Sequence, residues 1–174
     1  YEIIVIDDGS TDNTNEVVKP YLSDKLCYFK KENAERAAAR NFGTKFAKGE
    51  YVNWFDSDDI ALSIHVEEAV RMIKKYDNPE LFALGFSIVG GEKKIDSHYK
   101  PIMNNEIYKG NFCACNPVFV RRDIALANPF NEDRALSASE DYELWLRLSS
   151  QYTFYTSPNI TSYLIQHDER SVFM

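Results

Sequence analysis

Three carboxylates stand at the end of an apolar run in the stretch YVNWFDSDDI, residues 51–60. Asp56, Asp58 and Asp59 are separated only by Ser57, and like charges this close repel one another unless a positive charge lies among them. Hard divalent cations such as Mg²⁺ and Mn²⁺ prefer oxygen ligands and keep coordination positions open for phosphates. The three acids are therefore a candidate site for a divalent cation.

A second acidic pair, Asp7 and Asp8, follows another apolar run. The β-branched stretch 1–6 predicts a strand that is buried on both faces, and it ends in the turn-rich sequence DDGSTD. In a parallel sheet, ligands bind at the carboxyl ends of the strands. We therefore expect this pair to face the acids of residues 56–59 across one crevice. The alternative is that the two segments are unrelated solvated turns.

The segment SASEDYELWLRLSS, residues 137–150, predicts an amphipathic helix with acids in its first turn. Its apolar stripe consists of Leu144, Trp145 and Leu148. Asp141 precedes the first two of these by three and four residues, so we expect it on the buried face, where a partly desolvated carboxylate can act as a general base. The helix dipole alone also favours an acid there. Glu140 completes a Ser-x-x-Glu capping box with Ser137, and we assign it to capping.

Two arginines and a histidine are weaker candidates. Arg36 and Arg40 lie one helical turn apart, and this spacing alone favours a solvated face that pairs with neighbouring acids. A planar guanidinium there can also contact phosphates or orient the carboxylate of Asp8. His167 follows an apolar segment near the end of the sequence, where a lone histidine is more often a surface residue than a ligand.

Strands and helices alternate in the first half of the chain, which predicts crossover units, an α/β fold and a largely parallel sheet. The predicted strands are 1–6, 26–29 and 51–55, and the predicted helices are a short one up to Tyr21, then 34–47 and 66–76. The last helix takes its apolar stripe from Val66, Ala69, Val70, Ile73 and Tyr76. After Leu81 the pattern is irregular, apart from the apolar runs 81–89 and 118–120. We expect a single domain.

The composition is that of a globular chain, with 174 residues of which 44% are hydrophobic and 27% charged. The net charge of −7 argues against nucleic acid as a partner, because a nucleic-acid backbone needs a basic face. No run of about 18 apolar residues is present, so we expect no membrane-spanning helix. Cys27, Cys113 and Cys115 lack further clustered ligands for zinc, and we expect buried thiols in a reducing cytosol.

Three segments in this order resemble the family 2 glycosyltransferases of the GT-A fold: YEIIVIDDGSTDNT, AAARNFGTKFAKGEYVNWFDSDD and SEDYELWLRL. The resemblance implies a Rossmann-like, mostly parallel sheet flanked by helices in one domain, residues 1–174. Residues 1–90 would form the half that binds the nucleotide-sugar, and residues 91–174 the more irregular acceptor-side half. The family opens with an earlier strand–helix unit that this sequence lacks, so we expect the domain to be incomplete at its N-terminus.

The resemblance also implies a reaction and a donor site. The reaction would be an inverting transfer of a sugar from a nucleotide-sugar, commonly a UDP-sugar, with Mn²⁺ or Mg²⁺ as cofactor. Asp8 would hydrogen-bond the nucleobase, with Ser10 nearby. Arg40 would help to hold the donor, and Asp58 would lie against the ribose or the metal.

The same resemblance implies the metal ligands and the base. Asp59 would be the chief metal ligand, with Asp58 and His167 as further ligands and Asp56 in a supporting role. Asp141 would deprotonate the acceptor hydroxyl for attack on the anomeric carbon of the donor. For His167 this reverses the interpretation that its position alone favours.

The resemblance extends to partners and location. It implies a carbohydrate or lipid-linked acceptor in surface polysaccharide or glycoconjugate synthesis, in the cytoplasm or peripherally at the cytoplasmic face of a membrane.

Two other classes of protein share parts of the pattern. A receiver-type phosphoacceptor domain would use Asp56 as its acceptor with Ser87 and Lys100 as partners, but the SEDYELW helix would then have no role. A sugar-nucleotide pyrophosphorylase-like enzyme would need a Gly-rich, Arg-bearing loop near its start, and the sequence contains none.

Overall fold

The computed structural model of the chain describes residues 1–90, 95–96, 103–136 and 138–166. The described strands are β1 (Ile3–Asp7), β2 (Leu26–Lys30), β3 (Tyr51–Asn53), β4 (Ile60–Ala61), β5 (Leu81–Val89), β6 (Ile95–Asp96), β7 (Val118–Arg121) and β8 (Phe154–Ile165). The described helices are α1 (Thr14–Val18), α2 (Glu35–Thr44), α3 (His65–Lys75), α4 (Arg122–Ala127) and α5 (Glu140–Ser149). Short 3₁₀ turns cover Lys19–Tyr21, Ile107–Lys109 and Arg134–Leu136. The predicted α/β class is confirmed.

The first two strands form a separate parallel pair, β1 beside β2. Aromatic side chains pack α2 and the residues after it onto this pair: Phe29 stacks on Phe46 with ring centroids 4.2 Å apart, and Phe42 contacts both. The prediction that the first strand is buried on both faces is wrong, because Ile3 is 47% exposed. Among the described strands only β2 pairs with β1, so one edge of β1 has no strand beside it.

The larger sheet has the strand order β3-β7-β5-β8-β4, with β6 beside β5. Of its described pairs only β5 and β8 are parallel, so the expectation of a mostly parallel sheet is wrong for neighbouring strands. β7 inserts between β3 and β5 and runs antiparallel to both, and the two-residue strands β4 and β6 pair antiparallel with β8 and β5. β3 and β5 therefore still run in the same direction, as the alternation of strands and helices predicts.

The main core lies between the larger sheet and α5. Leu144, Trp145 and Leu148, the stripe predicted for this helix, are fully buried. The aromatic neighbours of Trp145 are Trp54, Phe130 and Phe154. Because this packing fixes the rotation of α5 about its axis, it also fixes where the acids of the first turn lie.

Helix α3 packs on the core with only part of the apolar stripe that the sequence predicts for it. Val66 and Val70, both in the predicted stripe, are each 43% exposed. The prediction is confirmed for the rest of the stripe: Ala69 is buried beside Met72, and Ile73 and Tyr76 pack against the same core cluster. The helix is therefore rotated away from the orientation that maximises burial of its valines.

Two buried polar side chains of α3 account for this rotation. His65 Nδ1 lies 2.9 Å from the hydroxyl of Thr161, and the hydroxyl of Ser157 donates to Glu68 at 2.5 Å. Both hydroxyls belong to β8. A buried polar group without a partner costs about 1–3 kcal/mol, so these hydrogen bonds hold His65 and Glu68 against the sheet.

The prediction that the cysteines are buried thiols is confirmed for two of the three. Cys113 and Cys115 are buried, Cys27 is half-buried, and all three are free thiols. Burial raises the pKa of the Cys113 and Cys115 thiols, which keeps them neutral. Among the described residues, no helix is both long and apolar enough to cross a membrane.

Candidate active site

The three acids that follow β3 form one cluster. Residues 56–59 make a turn in which the backbone N–H of Asp59 donates to the carbonyl of Asp56 at 3.2 Å. Asp56, Asp58 and Asp59 each offer a carboxylate oxygen, and these atoms lie within 4.8 Å of one another. An all-oxygen donor set of this size suits Mg²⁺ or Mn²⁺ and leaves room for phosphate oxygens. The cluster therefore fits the divalent cation that the sequence predicts, although its roles in binding stay predictions.

The carboxylate of Asp59 is held at both oxygens. The side-chain amide of Asn116 donates to Oδ2 at 2.6 Å, and the backbone N–H of Ile165 donates to Oδ1 at 2.7 Å. Asn116 precedes β7 and Ile165 ends β8, so strands distant in sequence meet at the acidic turn. Sequence reasoning missed Asn116, because the CACNP segment around it matches no motif.

Arg40 joins the acidic turn to helix α5. One guanidinium nitrogen, Nη2, lies 2.9 Å from Asp56 Oδ1, and the other, Nη1, lies 2.9 Å from Glu140 Oε1. The side chain is only 10% exposed and lies over the ring of Phe130, 5.4 Å from its centroid. The spacing-based expectation of a solvated face is therefore wrong for Arg40. Its predicted contact with the donor stays a prediction, and both terminal nitrogens already bind carboxylates.

Glu140 does not cap α5. Ser139 is the N-cap residue and makes no side-chain cap hydrogen bond, and Glu140 is the first residue of the helix. The Glu140 carboxylate is 6% exposed, and its Oε1 atom binds Arg40. Arg36 Nε also lies 3.3 Å from this Oε1 atom. The capping-box prediction is wrong because these two guanidiniums attract the carboxylate into the interior.

Asp141 is half-buried beside this ionic cluster. Burial raises the pKa of its carboxyl to about 6. Two groups oppose this rise: the Tyr142 N–H, which donates to Asp141 Oδ1 at 2.6 Å, and the positive charge of Arg40. The side-chain amide of Asn111 lies 3.4 Å from the same oxygen. The predicted partial desolvation of Asp141 is thus present, and its role as a base stays a prediction.

A cleft of about 1700 Å³ brings these groups together. The charged residues in its lining include Arg36, Arg40, Asp56, Asp58, Asp59, Glu140 and Asp141. The cleft also runs between β1 and β3, where the exposed valines of α3 line it. The acids of residues 56–59 and 140–141 therefore occupy one part of a larger groove. Any chemistry that depends on them takes place in that part.

The turn after β1 is a separate structure that rests on Asp7. Burial alone would raise the pKa of Asp7, but the pKa is lowered to about 2. The causes are hydrogen bonds from the Tyr28 hydroxyl and the Ser10 N–H, together with the positive charge of Lys30. Gly9 has a φ of +87°, and a Cβ there would lie 2.8 Å from the backbone N of Asn33. The turn therefore requires glycine at this position.

Asp8 and Ser10 are not in the lining of the cleft as the described residues define it. Asp8 instead binds Lys31 and accepts a hydrogen bond from the Ala34 N–H at the start of α2. Their predicted place at the nucleobase stays a prediction. His167 lies outside the described residues, so its predicted role as a metal ligand also stays a prediction.

The comparison with protein families identifies the class of protein that this fold and site define. The model for glycosyl transferase family 2 matches residues 1–126, and the chain therefore belongs to glycosyl transferase family 2. The family that the three sequence segments predict is confirmed. Membership of this family argues against the receiver-type and pyrophosphorylase-like alternatives.

Curated relatives of the chain are named as glycosyltransferases. A glycosyltransferase of Rickettsia typhi is 31% identical over 170 residues, which cover 87% of this chain and 51% of the relative. The Escherichia coli protein WfgD, named a UDP-Glc:alpha-D-GlcNAc-diphosphoundecaprenol beta-1,3-glucosyltransferase, is 30% identical over 151 residues, covering 85% of this chain and 58% of WfgD. The chain thus spans about half the length of these curated relatives.

Solved structures show that the fold is the GT-A type. Staphylococcus aureus TarS in complex with UDP-GlcNAc superposes with a TM-score of 0.78 and 22% identity, over 99% of this chain and 52% of the TarS chain. The TarS complex with UDP gives a TM-score of 0.76 over 95% of this chain. At this identity the likeness establishes the fold alone, and it confirms the predicted fold type.

The ionic bridge yields a prediction about stability. Replacing Arg40 with Met removes the guanidinium that links the Asp56 and Glu140 carboxylates and leaves Glu140 with Arg36 alone. Removing one partner of a buried ion pair costs about 3–5 kcal/mol, so we expect the free energy of unfolding to fall by that amount. Urea denaturation at neutral pH measures the change.

Arg134 provides a matched control for this measurement. It is 75% exposed and its guanidinium lies 3.9 Å from Glu35, so Arg134→Met should leave the stability unchanged within error. Equal effects of the two substitutions would contradict a structural role for the Arg40 bridge.

Proposed function

We propose that this chain forms the donor site and catalytic centre of an inverting glycosyltransferase. The enzyme transfers a sugar from a UDP-sugar to an acceptor hydroxyl and depends on Mn²⁺ or Mg²⁺. The observation that carries this proposal is the acidic cluster of residues 56–59, tied through Arg40 and Glu140 to the neighbouring Asp141 in one cleft. Family membership supports it.

The acidic cluster supplies the site for the leaving group. Asp58 and Asp59 would hold the cation, with Asp56 in support and fixed by Arg40. When bound, the cation neutralises the diphosphate of the donor and stabilises it as it departs. The anionic nucleotide could otherwise not approach a surface of three carboxylates.

Asp141 supplies the base. An acceptor hydroxyl that hydrogen-bonds to the Asp141 carboxylate loses its proton to that carboxylate as its oxygen attacks the anomeric carbon. A base with a pKa of about 6 is mostly ionised at neutral pH and still basic enough to take the proton. Attack from the side opposite the diphosphate inverts the anomeric configuration.

Relatives support the choice of donor and acceptor class. WfgD is named for a UDP-glucose donor and a lipid-diphosphate-linked sugar acceptor, and TarS was crystallised with UDP and with UDP-GlcNAc. For this chain we therefore propose a UDP-sugar as donor and a carbohydrate, free or lipid-linked, as acceptor. The location at the cytoplasmic face of a membrane stays a prediction of the sequence.

The donor site is tested by Asp59→Ala. We expect isothermal titration of the intact protein with UDP to show binding that Mn²⁺ strengthens at least tenfold, and we expect Asp59→Ala to abolish this strengthening, because the chief carboxylate ligand is lost. Asp24, an exposed acid outside the cleft, gives the control variant Asp24→Ala, which should bind as the wild type does. Unchanged Mn²⁺-dependent binding by Asp59→Ala would remove Asp59 from the metal site.

The base is tested by Asp141→Asn. We expect transfer to fall by about 10²-fold or more, with UDP affinity unchanged, because an amide cannot accept the hydroxyl proton. In the wild type, kcat/KM should fall about tenfold for each pH unit below 6, where Asp141 becomes protonated, and level off above pH 7.

Glu143→Gln is the control for the base, because Glu143 is half-buried in the same first turn and pairs with Arg147 rather than with the cleft. It should retain normal transfer and the same pH profile. Normal transfer by Asp141→Asn, or a rate that does not change between pH 5 and pH 8, would eliminate Asp141 as the base.

A further inference from the structure

The buried side chain of Asn116 hydrogen-bonds to both ends of the acidic turn, residues 56–59. Its amide nitrogen donates to Asp59 Oδ2 at 2.6 Å, and its amide oxygen accepts from the backbone N–H of Asp56 at 3.3 Å. The residue is only 1% exposed. One side chain therefore bonds to the first and the last residue of the four-residue turn.

The two partners determine the orientation of the Asn116 amide. An ionised carboxylate can only accept a hydrogen bond, and a backbone N–H can only donate one. The amide nitrogen must therefore face Asp59 and the oxygen must face Asp56, since the flipped orientation would lose both bonds. Leucine, of similar size, can make neither contact.

The antiparallel pairing of β3 and β7 places Asn116 at the turn. The register ends with Asn53 paired to Phe119, and Asp56 and Asn116 each lie three residues from this pair. The Asn53 amide donates to the carbonyls of Asn116 and Val118 at 2.7 and 2.8 Å. The pairing of β3 with β7 and the two bonds from Asn53 thus hold Asn116 beside the acidic turn.

Asn53 is in turn anchored in the interior. Its amide oxygen lies 3.2 Å from His65 Nε2, and the other ring nitrogen of His65 contacts Thr161 on β8. Burial lowers the pKa of His65 to about 4, so the imidazole is neutral at physiological pH and suited to this bridging role. Hydrogen bonds through the half-buried Asn53 and the buried His65 therefore connect the segment that holds Asn116 to Thr161 on β8.

Both oxygens of the Asp59 carboxylate accept a hydrogen bond from the protein. The Asn116 amide donates to Oδ2, and the Ile165 N–H donates to Oδ1. Donors on both oxygens restrict the rotation of the carboxylate and thereby fix the direction in which its oxygens face.

We propose that Asn116 is the positioning residue that orients Asp59 and shapes the turn of residues 56–59 for a divalent cation. This inference rests on the proposed function of the acidic turn as a cation site. Groups that hydrogen-bond to a metal ligand fix its orientation and contribute to metal affinity about 10–100-fold. Asn116 acts on the nucleotide only through the cation, and this separates its role from that of a residue that binds the donor.

The test compares UDP affinity with and without Mn²⁺ in Asn116→Leu, using the intact protein. We expect the Mn²⁺-dependent gain in UDP affinity to fall at least tenfold, while the affinity for UDP without metal stays within about twofold of the wild type. Electron paramagnetic resonance of Mn²⁺ should show the same loss of bound metal in the absence of nucleotide. Asn116→Ala, which adds no bulk, repeats the measurement if the leucine variant does not fold.

Asn104→Leu is the matched control. Asn104 also bridges main-chain groups, since its amide donates to the carbonyls of Ser149 and Tyr152 and accepts from the Phe154 N–H, and it lies outside the cleft. Its substitution should lower the melting temperature but leave the Mn²⁺-dependent gain in the folded protein unchanged.

The outcomes separate this inference from the proposed function. A wild-type protein without any Mn²⁺-dependent gain would overturn both. A gain that Asp59→Ala abolishes and Asn116→Leu preserves would overturn the positioning role alone. A loss of UDP affinity in Asn116→Leu that is equal with and without Mn²⁺ would also overturn it, because that result would mean a general structural defect.

Discussion

The concentration of negative charge in one cleft is the constraint on which the rest of the site depends. Among the described residues that line the cleft, the carboxylates of Asp56, Asp58 and Asp59 lie in the acidic turn, and those of Glu140 and Asp141 lie in the first turn of α5. Arg40 lies between two of them at 2.9 Å from each, and its burial strengthens the attraction by reducing the screening from water. The proposed cation would counter the charge of the acidic turn. The pKa of Asp141 is part of the same balance, since burial and the Glu140 charge raise it while the Arg40 and Arg36 charges lower it.

The fold meets this constraint by bringing distant segments to one edge of the sheet. The acidic turn follows β3, Asn116 precedes β7, and the Ile165 N–H belongs to the last residue of β8. Helices α2 and α5 add Arg40 and Glu140. Residues from both halves of the chain thus hold the same few carboxylates. A shift of α5 would therefore disturb the acidic turn through Arg40, which couples the candidate base to the candidate metal site.

Short patterns in the sequence predicted the features of the site that depend on residues close together in the chain. The acidic cluster followed from three acids at the end of one strand, and the half-buried position of Asp141 followed from the periodicity of Leu144 and Trp145. Contacts between distant segments were not predictable in this way. The insertion of β7 between β3 and β5, and with it the position of Asn116, depends on strand pairing that no short pattern encodes. The exposure of Val66 and Val70 on α3 was also missed, because hydrogen bonds to β8 bury His65 and Glu68 on that helix.

The location of bound manganese tests the central claim most directly. Anomalous diffraction at the manganese edge, from crystals of the intact protein grown with UDP and Mn²⁺, places the ion without reference to activity. The predicted result is a peak at about 2 Å from a carboxylate oxygen of Asp59 and of at least one of Asp56 and Asp58, in contact with the UDP diphosphate. A manganese ion bound to UDP but away from these three acids would contradict the claim, as would UDP bound at the cleft with no manganese beside it.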